Sequence, residues 1–169
     1  MIAVKNVLVA TDFSPSSDTA LAYGRTLART FGGRLHVMHV VEDVALRLAY
    51  ADAAGGIASP RDTQLEIERD GQRRLDAAVA EDDRRELQAV AVLRVGNSPA
   101  AEIVNYAAET NIDVIVVGAT GRGMIDRLLM GSVADKVIRR APCPVLAVRH
   151  PEHEFIVPDA LQRTAAART

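Results

Sequence analysis

The chain has 169 residues and a mass of 18.1 kDa, enough for one well-packed domain and short of two. Apolar residues make up 49% and charged residues 25%, a mix that excludes a disordered, collagen-like or disulfide-stapled chain. The net charge of −2 brings no basic excess for a nucleic acid or an acidic membrane, and neither is expected as a partner.

Aromatics are 4% of the chain and tryptophan is absent, so the core must be Val, Ile and Leu, which suits a buried parallel sheet. The lone cysteine, Cys143, cannot form an internal disulfide, and a reducing cytoplasm is the expected setting. The first residues read as a strand and not as a signal peptide. No apolar stretch is long enough to span a bilayer.

Val4–Ala10 is the first predicted strand. Ser14-Pro15 supplies an N-cap and a proline at the first helical position, and Gly32-Gly33 ends that helix. Arg34–Val41 is the second strand. Residues 42–59 read as a long Ala- and Gly-rich connection. Ser59-Pro60 repeats the cap signal and opens a charged helix with Leu65, Gln72, Leu75 and Val79 turned inward. Ala89–Val95 is the third strand, and Ser98-Pro99 starts a helix through Ala101, Ile103, Val104 and Ala107. Asn111–Val117 is the fourth strand. Its Ile112–Val117 run is nearly all apolar, as a central strand requires.

Met124–Met130 reads as a short helical turn, and Gly131-Ser132 opens the last helix, to about Arg140. Pro144–Val148 is the fifth strand. The alternation predicts one doubly wound α/β domain over residues 1–150, with a five-stranded parallel sheet and right-handed crossovers. Residues 151–169 read as a C-terminal tail. In such sheets ligands sit beyond the carboxyl ends of the strands, where the strand order reverses.

The informative stretch is 118–140. Glycines stand at 118, 121, 123 and 131, and Ser132 follows the last. Glycine lets a ligand approach the backbone, and successive amides form an anion-binding nest. A helix start at Gly131-Ser132 favours phosphate through its free N–H groups and dipole. Two known phosphate loops fail. The Walker A lysine is missing because Met124 and Ile125 follow Gly123, and a dinucleotide fingerprint would need a small residue where Asp126 stands. A receiver domain would need an acidic cluster and a lysine after the last strand, where Arg149 stands.

Gly118, two residues, Gly121, nine residues, then Gly131-Ser132 resembles the nucleotide-binding branch of the universal stress protein family. Further landmarks agree in order: Val7–Ser14, Leu35–Val41, Val95–Pro99 and Ala141–Leu146. The resemblance spans residues 3–149. It implies the strand order 3-2-1-4-5, a site for ATP with Mg or Mn, and a homodimer through Pro144–Val148. It further implies a cofactor-binding set of Ala10, Thr11, Asp12, Val40, Val117, Gly118, Gly121, Gly131, Ser132 and Val133, to which Arg122 adds a phosphate contact. Val40 would meet adenine, Asp12 and Gly118 the ribose and base side, and Gly121 and Gly131–Val133 the phosphates. No catalytic residue and no direct metal ligand is assigned, although Asp12 would reach a metal through the nucleotide.

The implied role is a nucleotide-responsive regulatory module. The alternatives are a slow ATPase, an adenylating enzyme of the related α-hydrolase group, or a partner-binding protein with incidental nucleotide. Plainer readings stand beside these. Ser132 and Asp135 together also read as a capping box, and Asp12 as a cap of the first helix. His36 and His39 fall on opposite faces of a strand and share no metal. His150 and His153 read as solvated. Cys143 reads as packing. Arg73-Arg74 and Arg84-Arg85 read as a solvated face balanced by Asp82, Asp83 and Glu86.

Overall fold

A computed structural model describes residues 3–44, 59–119 and 130–149. The five strands are β1 (Asn6–Ala10), β2 (Arg34–Val41), β3 (Val90–Val95), β4 (Val114–Gly118) and β5 (Val145–Val148). They form one parallel sheet in the order β3-β2-β1-β4-β5, as expected. The helices are α1 (Pro15–Phe31), α2 (Pro60–Ala78), α3 (Glu81–Glu86), α4 (Pro99–Glu109) and α5 (Ser132–Arg140).

Side-chain alternation divides the core into two layers. Val7, Val9, Leu35 and Val37 meet Ala20, Leu21 and Ala28 of α1, together with Leu75 and Val79 from the α2 side. Leu8, Met38 and Ile115 meet Ile103 and Ala107 of α4 and Ala134 and Val137 of α5 on the other face. With Val7, Leu8 and Val9 all fully buried, β1 is apolar on both faces, as a central parallel strand must be.

Capping chemistry sets the helix limits. Ser14 accepts from the Ser17 amide while Ser17 Oγ accepts from the Ser14 amide, and Gly32 ends α1 at φ 64°. Both β1 and β4 start later than expected because Asp113 takes over at that end of the sheet. Its Oδ2 accepts the Lys5 and Asn6 amides at 2.7 and 2.8 Å, and Asn111 turns the chain at φ 53°.

Two expectations are corrected. Leu65 is exposed, and α2 instead meets the sheet through Gly71, where a Cβ would stand 2.8 Å from Val41 Cγ1 and 3.2 Å from Leu93 Cδ1. Gln64 is buried one residue earlier because its Oε1 accepts the Val44 amide. Asp83 is not on a solvated face. Its side chain is 2% exposed, takes both Nε and Nη2 of Arg25, and accepts the Ala80 amide. This pair holds α3, a helix absent from the expected elements, against α1. Arg73, Arg84 and Arg85 do behave as surface charges, on Asp70, Asp76 and Asp82, whereas Arg74, read with them, is half-buried with its guanidinium over the Phe13 ring.

His36 and His39 do lie on opposite faces. His36 is buried, with Nδ1 2.8 Å from the Tyr106 hydroxyl and Nε2 without a partner. Burial, aided by the Arg34 charge, lowers its pKa from 6.5 to about 4. The unfolded chain therefore takes up a proton near pH 6.5 that the folded chain refuses until about pH 4. Stability from this residue is whole above pH 6.5 and drains away as pH falls toward 4. Thermal melts of wild type and His36→Gln should converge over that interval as the wild type loses its advantage. Parallel melting curves throughout would show that His36 does not titrate differently on unfolding.

Candidate functional site

A cleft of about 610 Å³ opens at the carboxyl ends of β1 and β4, where the strand order reverses. Ala10, Thr11 and Asp12 line one side, and Val117 and Gly118 face them across the β1–β4 pairing. Val40 closes the end over β2, and Met130–Asp135 lie at the start of α5. The fold thus brings Ala10, Thr11, Asp12, Val40, Val117, Gly118, Gly131, Ser132 and Val133 to one cleft. Gly121 and Arg122 lie outside the described residues, as do residues 124–129 of the expected turn and the tail from residue 150.

The start of α5 is built to present amides. Gly131 is its N-cap residue and has no side chain to cap it, so Ser132 is the first helical residue and the capping box read from Ser132 and Asp135 does not form. The amides of the first helical residues, Ser132, Val133 and Ala134, have no acceptor within the helix. The Gly131 amide is already spent on the Ala119 carbonyl at 2.7 Å. Asp135 is drawn aside by Arg139, with Nε at 3.0 Å.

Gly131 has φ −61° and ψ 144°, a conformation open to any residue, so no turn demands glycine there. Gly118 has a packing reason that spacing does not reveal. A Cβ on it would stand 2.7 Å from Ser16 Oγ and 2.9 Å from the Ser16 carbonyl carbon. Glycine at 118 lets the first turn of α1 rest on β4.

Asp12 is not the N-cap of α1; Ser14 is. Asp12 Oδ1 instead accepts the Ser14 hydroxyl at 2.6 Å and the Ser14 amide at 3.1 Å, which buttresses that cap. Thr11 Oγ1 lies 3.0 Å from Ser17 Oγ, and Ser17 also lines the cleft. Spacing alone had not marked Ser17, Pro99, Ile103 or Met38, which complete the lining. Asp12, Asp135 and His39 are the ionisable side chains among the described residues of the wall, and none of these residues is Lys or Arg. Among the described residues no group of three or more His, Cys, Asp or Glu side chains could hold a metal ion, and no helix is long and apolar enough to cross a membrane. Cys143 is partly buried and packs against the core layer that holds Leu8 and Ile115, and burial raises its thiol pKa.

Comparison with known proteins agrees with this architecture. The universal stress protein MJ0531 of Methanocaldococcus jannaschii is 30% identical over 157 residues, 89% of this chain and 85% of its own. The solved structure of MJ0577 superposes with a TM-score of 0.72 over 90% of this chain and 100% of its own, at 21% identity. The universal stress protein of Archaeoglobus fulgidus solved in complex with dAMP gives 0.57 over 88% and 99%, at 26% identity. The family description "Universal stress protein family" matches residues 3–149, and the chain belongs to that family.

Proposed function

We propose that this chain binds an adenine nucleotide, ATP with Mg or Mn, in the cleft between β1 and β4, and acts as a nucleotide-responsive regulatory module in the cytoplasm. The observation that carries the reading is the glycine-capped start of α5, whose first amides have no acceptor within the helix, opening on a cleft at the strand-order reversal. Val40 and Val117 offer an apolar seat for the base. Asp12 offers a carboxylate to the ribose, and the amides of Ser132 and Val133 serve the phosphates. The dAMP complex of the Archaeoglobus relative supports an adenine nucleotide of some kind. The metal would travel with the phosphates, with Asp12 as a carboxylate neighbour.

The reading as a module is favoured over the enzyme alternatives by the sequence of the 118–133 stretch. Fast phosphoryl transfer needs cationic clamps and a positioned base at the transferred group, and that stretch offers Arg122 as the phosphate contact but no lysine. Slow ATP hydrolysis stays the second reading.

ATP with magnesium at ~100 times its dissociation constant should stabilise the protein by roughly 2.7 kcal/mol. For a domain of this size the melting temperature should rise on the order of 5–10 °C. An unchanged melting temperature at millimolar ATP would remove the nucleotide from the proposal.

The assembly proposed with it is a homodimer through β5. That strand lies at the sheet edge, and Leu146 on it is 37% exposed. An apolar edge strand invites pairing with a second copy. Light scattering at micromolar concentration should return twice the 18.1 kDa chain mass; a monomer mass would rule this pairing out.

A further inference from the structure

We infer that His39 and Phe13 are positioning residues that hold the Thr11–Ser14 turn so that Asp12 stays on the cleft wall. The inference rests on the nucleotide reading of that cleft and adds residues that no part of the glycine spacing identifies.

Phe13 follows Asp12 directly and has φ 60°, an uncommon conformation for a bulky residue without strong support. The support is visible. Its ring lies 4.4 Å from the His39 ring, centroid to centroid, and the Arg74 guanidinium carbon stands 4.2 Å from the Phe13 ring centroid. Its amide donates to Thr11 Oγ1 at 2.9 Å. On the other side of Asp12, His39 Nδ1 lies 2.8 Å from the Thr11 carbonyl oxygen. A carbonyl can only accept, so Nδ1 carries the hydrogen. The residues on both sides of Asp12 are thus tied to one imidazole, which projects from β2.

His39 is also a partition. It lines the β1–β4 cleft and a second hollow of about 340 Å³ against α2, where Arg74, Asp70 and Gly71 are its neighbours. The stack of Arg74, Phe13 and His39 therefore braces the turn from the side opposite the ligand. The capping of α1 does not need this brace, because Ser14 and Ser17 complete it between themselves. What the strained residue adds is the direction in which Asp12 leaves the end of β1.

The test uses the full chain and three variants: His39→Leu, which removes the donor; His39→Gln, which can restore an N–H to Thr11; and Phe13→Gly, which relaxes φ but loses the ring. Three quantities are read: ATP–magnesium affinity by calorimetry, the melting temperature without ligand, and amide exchange at Phe13 and Ser14 without ligand. His39→Leu should weaken ATP roughly 3- to 10-fold, the span of one hydrogen bond, and speed exchange at both amides. His39→Gln should recover most of the affinity, and Phe13→Gly should bind at least as weakly as His39→Leu. Wild-type affinity and wild-type exchange in His39→Leu would overturn the inference. So would a loss of affinity that follows the melting temperature and is not rescued in His39→Gln. If wild-type protein fails to bind ATP, the nucleotide reading falls separately. Exchange at Phe13 and Ser14 in His39→Leu then still decides whether His39 holds the turn: faster exchange supports it, unchanged exchange overturns it.

Discussion

Gly131→Val is expected to abolish ATP binding while the fold and the assembly stay intact. At φ −61° and ψ 144° a valine backbone is unstrained, so the change does not act through the turn. The Gly131 amide keeps its bond to Ala119 and its carbonyl keeps the Asp135 amide at 3.0 Å. What changes is access. A branched side chain at the N-cap stands beside the amides of Ser132 and Val133, which the phosphates need free. Affinity should fall about 100-fold or more, roughly 2.8 kcal/mol. Circular dichroism and light scattering should match wild type. Ser132→Ala is the graded partner, costing about 1.5–3 kcal/mol of affinity if its hydroxyl bonds a charged phosphate. A folded Gly131→Val protein that binds ATP as wild type does would show that the phosphates lie elsewhere.

The largest loss of stability is expected from Asp83→Ala. The side chain is 2% exposed, while Arg25 is 26% exposed and has its Nη2 on the Ala78 carbonyl as well. Removing the carboxylate leaves a half-buried guanidinium short of its anion and the Ala80 amide without its acceptor. Breaking a buried pair costs about 3–5 kcal/mol, and the partial exposure of Arg25 places this one near the lower end. The melting temperature should drop by roughly 6–12 °C. By contrast Asp82→Ala, whose Arg85 partner is largely exposed, should stay within about 1 kcal/mol of wild type. Equal losses in the two variants would mean that burial does not set the strength of these pairs.

The Asp82–Asp83 contrast also shows where sequence reading ends. Residues 81–86, EDDRRE, look uniformly solvated, and nothing local separates the two aspartates. The difference comes from Arg25, 58 positions away on α1, which only the folded chain brings near. The register of α2 failed for a similar reason. Apolar periodicity favours Leu65, but Gly71 allows close approach to Val41 and Leu93, and Gln64 finds a backbone amide to accept. Signals confined to a few residues were legible. Ser14-Pro15 and Gly32 bracket α1 at the expected residues, and β2 spans Arg34–Val41 as read. The strand alternation was enough for the order 3-2-1-4-5 once the family resemblance was added. Gly118 was singled out for a ligand, and the structure adds a packing cause from Ser16. His39 lies within the Leu35–Val41 landmark, yet the sequence marks it only as a metal ligand to be rejected, because its part depends on a strained neighbour that spacing does not reveal.

The pairing of Ala10 with Val117 has a consequence for how the protein is made. The two walls of the cleft are separated by more than a hundred residues of chain, so their contact is among the costliest loops to close. While the polypeptide is being synthesised, β1, α1 and β2 can dock as soon as they emerge, since Ala10 pairs with Met38 early in the chain. The cleft itself does not exist until β4 has left the ribosome and slid in beside β1, on the side away from β2. Any nascent chain stopped short of residue 114 presents an open, unpaired flank of β1 in place of a site.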